Sequence, residues 1–129
     1  FLPAPKLLVI DDNPLIIDLM MRLFEQTFHI EGATTVSEAL RMLEHQSYDL
    51  LLIDLIMPEM NGLELFREIR RLRPDQKAFL TTAYEGDARV EQAIVEGAMG
   101  CIYKPFQIEE VERILSEALH PDGETDEGV

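Results

Sequence analysis

The chain has 129 residues, with 11 Lys and Arg against 25 Asp and Glu, for a formal net charge of −14. An apolar content of 47% at this length suits one domain with a real core and excludes a disordered chain. The single cysteine, Cys101, excludes an internal disulfide framework, no run nears the roughly 18 apolar residues of a membrane span, and the acidity argues against a direct grip on nucleic acid.

The first apolar run is Lys6 to Ile10, a predicted strand. Asp11, Asp12 and Asn13 follow it, then Pro14; Asn13 suits a helix cap and Pro14 a first helical position. Leu15, Ile16, Leu19, Met20, Leu23 and Phe24 then recur at helical spacing and are expected to face inward, with Ile17 and Met21 at the edge of that stripe. His29 to Ala33 reads as the second strand. Thr35 with Glu38 has the spacing of a capping box, opening a helix that buries Val36, Leu40 and Leu43. The third strand, Leu50 to Ile53, ends at Asp54.

Asn61 and Gly62 start a helix with Leu63, Phe66, Ile69 and Leu72 inward, stopped by Pro74. Lys77 to Thr82 is the fourth strand. Asp87 to Glu96 is a helix with Val90, Ala93 and Ile94 inward, ended by Gly97. Gly100 to Tyr103 is a short fifth strand, and Gln107 to Leu119 a last helix striped by Ile108, Val111, Leu115 and Ala118. Residues 1–5 are an N-terminal extension, 6–119 one domain, and 120–129, with four acids and no Lys or Arg, an acidic tail or the start of a linker.

Strand runs without in/out alternation mark a parallel sheet covered on both faces. Repeated βα units of this length give an open, doubly wound α/β sheet of five strands and five helices. In such a sheet the site lies beyond the carboxyl ends of the strands. That edge gathers Asp11 and Asp12 from the first strand, Asp54 from the third, Thr81 and Thr82 from the fourth, and Lys104 from the fifth. Each has an ordinary alternative: the acidic pair as a turn before a helix, Thr82 as a strand residue, Lys104 as a surface lysine. Asp54 resists one, because a carboxylate between Leu50–Ile53 and Leu55–Met57 must be paired or functional. Clustered carboxylates stay ionised only beside a cation, and oxygen-only ligands select a hard ion such as Mg2+. Such a site suits phosphoryl transfer, with one carboxylate as nucleophile, Lys104 neutralising an oxygen and Thr82 donating a hydrogen bond.

These residues resemble the receiver domain of the two-component response regulators, the chemotaxis-regulator-like (CheY-like) family. The resemblance covers Lys6 to Leu119 and rests on Val9-Ile-Asp-Asp12, Leu52-Ile-Asp54-Leu-Ile-Met-Pro58 with Asn61-Gly62, Leu80-Thr-Thr82-Ala83, and Tyr103-Lys104-Pro105-Phe106. It implies the flavodoxin-like strand order 2-1-3-4-5. It implies that Asp54 accepts phosphate from a phosphohistidine on a sensor histidine kinase or histidine phosphotransfer protein. It assigns Mg2+ (or Mn2+) to Asp12 and Asp54 directly, to Asp11 through water and to the backbone carbonyl of Ile56. Lys104 would pair with Asp54 and then with its phosphoryl group, and Thr82 would move toward the phosphate. A cis bond between Lys104 and Pro105 is common in the family. The donor would dock on Ile17 and Met21 with Pro105 and Phe106. An output domain or target protein, and a homodimer through the face of the fourth helix, fifth strand and fifth helix, are the further partners implied. Neither nucleic acid nor membrane is expected for this domain, and its compartment is expected to be cytoplasmic.

The family usually carries an aromatic switch residue where this chain has Cys101. Tyr103 shares the strand parity of Cys101, so it either supplies the missing aromatic surface or packs near the last helix. Tyr84, two residues after Thr82, either shields the phosphoryl group from water or is a surface tyrosine. The rivals to a phosphoacceptor switch are three. A Mg2+ phosphatase of the haloacid-dehalogenase type needs a second Asp where Ile56 stands. A flavodoxin-like FMN binder needs a Ser/Thr/Gly-rich loop after the first strand. A degenerate receiver would bind partners without phosphorylation.

Overall fold

The computed structural model describes residues 3–120. Ten elements alternate along it: β1 (Lys6–Ile10), α1 (Pro14–Leu23), β2 (His29–Ala33), α2 (Val36–His45), β3 (Leu50–Asp54), α3 (Gly62–Leu72), β4 (Ala78–Thr82), α4 (Ala88–Val95), β5 (Cys101–Tyr103) and α5 (Ile108–Leu119). The five strands form one parallel sheet in the order β2-β1-β3-β4-β5, with Ile10 beside Ile53, Asp54 beside Thr81, and Thr82 beside Tyr103. The predicted doubly wound architecture and strand order are both present. Residues 121–129, the greater part of the proposed tail, and residues 1 and 2 lie outside the described residues.

Every residue of β3 and β4 is buried, as continuous apolar runs in a covered sheet require. Alternate strand residues feed two cores. Leu8, Ile10, Leu51, Ile53 and Leu80 pack under α2, α3 and α4; Leu7, Val9, Leu50, Leu52 and Phe79 pack under α1 and α5.

Side-chain caps open four of the helices. Asn13, Thr35, Asn61 and Asp87 each accept a backbone N–H in the first turn. Asn61 and Glu64 complete a full capping box. At Thr35 the box is displaced: Glu38 reaches back to the N–H of Thr34.

The rotation of α1 differs from the expected one. Ile17, Met20 and Phe24 face the core, while Leu15 is 73% exposed and Leu19 and Leu23 also face solvent. Ile17 fits because β2 has Gly32 beneath it: a Cβ there would stand 2.3 Å from the Ile17 side chain. Leu72, Ile94 and Ile108 also face solvent, because each of these stripes is one residue narrower than the sequence pattern implies.

Each helix runs back along the parallel sheet after its strand, so the helix C-termini collect at the amino end of the strands. Five of the eleven bases lie between residues 67 and 77, and three of them serve those termini. Arg70 donates to Gly97 O after α4, Arg73 to Leu43 O and Gln46 O at the end of α2, and Lys77 to Ala118 O in α5. Each satisfies carbonyls that have no intrahelical partner and complements a helix dipole.

Candidate functional site

β1 and β3 are neighbours, so Asp11 and Asp54 emerge side by side at their carboxyl ends. Asp11 is 2% exposed and Asp54 5%, whereas Asp12 faces solvent. One ligand atom from each of the three lies within 4.8 Å of the others, and among the described residues this is the one such group of His, Cys or acidic side chains. Asp11 Oδ1 accepts the N–H of Asn13 at 2.9 Å, and Asp54 Oδ1 that of Ile56 at 3.3 Å. The latter bond sets the Ile56 backbone beside the carboxylate, while the Ile56 side chain is exposed.

Lys104 reaches in from the end of β5, across a cis peptide bond to Pro105. Its ammonium lies 2.8 Å from Asp11 Oδ2 and 3.5 Å from Asp54 Oδ2. The lysine thus lies nearer Asp11 than the expected Asp54. Burial, then the charge of Asp11, pushes the Asp54 carboxyl above the ordinary carboxylate range, against the pull of Lys104 and the Ile56 N–H. Burial alone would lower the Lys104 ammonium, but the hydrogen bond to Asp11 and the charges of Asp54 and Asp11 hold it above the usual lysine range. Thr82, 1% exposed at the end of β4, accepts the Tyr84 N–H through Oγ1 at 3.2 Å. Tyr84 itself is a solvent-facing loop tyrosine.

Three carboxylates against one ammonium leave the site with unbalanced negative charge and only oxygen donors. That donor set fits a hard divalent cation. Asp54 carries its charge against that burial, and it stands at the carboxyl end of β3.

The remaining expected residues separate. Ile17 is buried in the core under α1, so it leaves the proposed docking surface. Met21 and Pro105 are exposed and Phe106 half-buried. Leu15 and Leu19, one turn apart on the outer face of α1, were missed as surface residues. An α1 apolar on nearly every face was the available signal. Cys101 is half-buried against the α2–α3–α4 core, where burial pushes its thiol up to about 11 against a hydrogen bond with Tyr103. Tyr103 is exposed, with the charges of Glu85 and Glu91 near it. It therefore lies on the α4 side of β5 and not against α5.

The sequence model of the response regulator receiver domain matches residues 7–116. The chain is 32% identical over 117 residues to the transcriptional regulatory protein GlrR of Escherichia coli (strain K12), covering 91% of this chain and 26% of that one. It is 36% identical over 121 residues to the transcriptional regulatory protein CpxR homolog of Haemophilus influenzae, covering 90% and 52%. The chain thus spans about a quarter to a half of these relatives. The crystal structure of a CheY-like response regulator receiver domain protein from Methanospirillum hungatei JF-1 superposes with a TM-score of 0.87 at 26% identity, covering 96% of this chain and 100% of that one.

Proposed function

The chain belongs to the response regulator receiver domain family of two-component signalling, and from that premise we propose that Asp54 is its phosphoacceptor. The observation that carries the reading is the convergence of two buried carboxylates, Asp11 and Asp54, on one ammonium, Lys104. The donor is a phosphohistidine on a sensor histidine kinase or histidine phosphotransfer protein. An Asp54 carboxylate oxygen forms the new bond to phosphorus as the bond to the donor imidazole nitrogen breaks and that nitrogen keeps the electron pair. Asp12, Asp54 and the Ile56 carbonyl would hold Mg2+ (Mn2+ in its place), with Asp11 contributing through water. When bound, the ion neutralises phosphoryl oxygens in the in-line transfer. Lys104 shifts from Asp11 toward the phosphoryl group, and the Thr82 hydroxyl donates to it.

The role is that of a signalling switch, not of a turnover enzyme. The phosphatase alternative needs a carboxylate at Ile56, whose exposed apolar side chain cannot act as an acid or base. The degenerate alternative conflicts with the intact set of Asp11, Asp12, Asp54, Thr82 and Lys104. Donor docking is proposed on Leu15, Leu19 and Met21 with Pro105 and Phe106. The open sheet edge at β5 exposes Ile94, Met99 and Tyr103 and is the proposed face for a second copy or an output partner. Among the described residues no helix is long and apolar enough to cross a membrane; a cytoplasmic location is part of the proposal.

Incubation with acetyl phosphate and Mg2+, followed by intact mass, tests the assignment. A single phosphate adduct on the wild type that is absent from Asp54→Ala is expected. An adduct that survives Asp54→Ala, or none in either, overturns it.

A further inference from the structure

The helix α4 is held unequally at its two ends. It is the shortest helix, and its buried residues are only Val90 and Ala93. Small apolar area means weak hydrophobic anchoring, so polar contacts decide how it is fixed.

At its C-terminal end those contacts are many. Gly97, with φ +119°, closes a Schellman motif in which Gly97 N–H bonds Ile94 O and Ala98 N–H bonds Ala93 O. Ala98 is buried, and Met99 N–H bonds Ala78 O in β4. Two arginines of α3 then reach across. Arg67 grips Glu96 through both nitrogens, Nε at 2.7 Å and Nη2 at 2.6 Å, and Gln92 donates to the same carboxylate. The paired Arg67 holds the Glu96 carboxyl down to about 2. Arg70, lying over the Phe66 ring, donates to Gly97 O and Gln76 O. Gly97 is required here twice, since a Cβ would meet the Arg70 guanidinium at 2.8 Å.

At its N-terminal end Val90 is buried, but the polar contacts are local. Asp87 caps the helix and pairs with Arg89, two residues on. The loop from Ala83 to Gly86 is exposed, and Gly86, φ +82°, has no neighbouring atom within 4 Å of a Cβ position. That loop begins at Thr82, whose hydroxyl accepts the Tyr84 N–H. A change at Thr82 therefore enters α4 at its loosely held end.

We infer that Arg67 and Arg70 pin the C-terminal end of α4 to α3, so that occupancy of the acidic site is expressed as a swing of the N-terminal end about that pin. This rests on Asp54 as acceptor, but the pin itself does not. A bidentate arginine–carboxylate pair resists both sliding and rotation, which a single contact does not. The device converts a displacement at one loop into a lever motion of the α4 surface.

Methyl-resolved NMR of the full chain, titrated with Mg2+ and beryllofluoride, reads the two ends separately. In the wild type the shifts of Val90 are expected to exceed those of Ile94 and Val95 at least twofold. Arg67→Ala is expected to spread the perturbation to Ile94 and Val95, and the exchange of charges, Arg67→Glu with Glu96→Arg, to confine it again. Equal perturbation of both ends in the wild type, or an unchanged pattern in Arg67→Ala, overturns the pin. If beryllofluoride perturbs nothing and no Asp54 adduct forms, the acceptor assignment fails by itself. The pin is then judged without ligand, by millisecond methyl relaxation dispersion at Ile94 and Val95. Dispersion absent in the wild type and present in Arg67→Ala supports it, and identical profiles overturn it.

Discussion

At the carboxyl end of the strands, Asp11, Asp12 and Asp54 cluster and Lys104 pairs with two of them, Asp11 and Asp54; at the amino end, Arg70, Arg73 and Lys77 face carbonyl oxygens, and among the described residues none of them forms an ion pair. Both ends concentrate charge, yet they differ in whether it is compensated. The basic end is satisfied by the protein itself, because parallel packing delivers the partnerless carbonyls of several helices to one place. The acidic end is short of positive charge, and buried unbalanced charge costs stability. The teaching is that charge clustering alone does not mark a site; incomplete compensation does. The other two bases of the stretch from Arg67 to Lys77 pair with carboxylates instead, Arg67 with Glu96 and Arg71 with Glu68.

The contrast can be broken at either end. Lys104→Ala removes the sole cation from the acidic end, and Asp54 adduct formation from acetyl phosphate is expected to slow about 100-fold, or about 3 kcal/mol of barrier. A change under threefold in the mass-resolved rate would separate Lys104 from the chemistry. Arg73→Ala strips the partners from Leu43 O, Gln46 O and Ser47 Oγ. Denaturant unfolding is expected to show a loss of about 2 kcal/mol, with the adduct rate of the folded protein unchanged.

Asp54→Asn sharpens the comparison in the opposite direction. The raised carboxyl of Asp54 means the native state binds its proton more tightly than the unfolded chain. Its charge therefore destabilises the fold above the native pKa, and that cost shrinks as pH falls toward the ordinary carboxylate range. The variant is expected to gain about 1 kcal/mol at neutral pH and nothing at pH near 4, read from thermal unfolding across pH. Mg2+ should stabilise the wild type more than this variant. Lys77→Ala is the smallest change, about 0.5 kcal/mol, because the lysine serves one carbonyl at a helix end where Arg73 serves two and a hydroxyl; a loss equal to that of Arg73→Ala would deny the distinction between a shared and a single carbonyl partner.

Much of the site could be read from residue order. Asp54 stood out as a carboxylate inside an apolar run, and the sheet rule placed Asp11, Asp12, Thr82 and Lys104 at the same edge without coordinates. The helix starts at Asn13, Thr35 and Asn61 followed from side chains that accept a first-turn N–H, whereas Asp87, read as the first residue of its helix, is its cap. What stayed hidden was orientation within an element. In α1, apolar residues surround the helix, so periodicity left its rotation open, and Ile17, expected at the edge of the inward stripe, is buried within it.

Local pattern determined the number, kind and order of the elements, because strand and helix periods are properties of a short stretch of chain. It also determined which strand ends bear acids. Tertiary structure decided the rest. The absent side chain of Gly32 on β2 selected Ile17 as the buried face of α1, and Lys104 found Asp11 nearer than Asp54 only once β5 and β1 shared a sheet. Arg70, Arg73 and Lys77 took carbonyls from α2, α5 and the turn after α4 that lie 27 to 41 residues away in sequence. Such choices depend on which surfaces meet in space, and no local period encodes that.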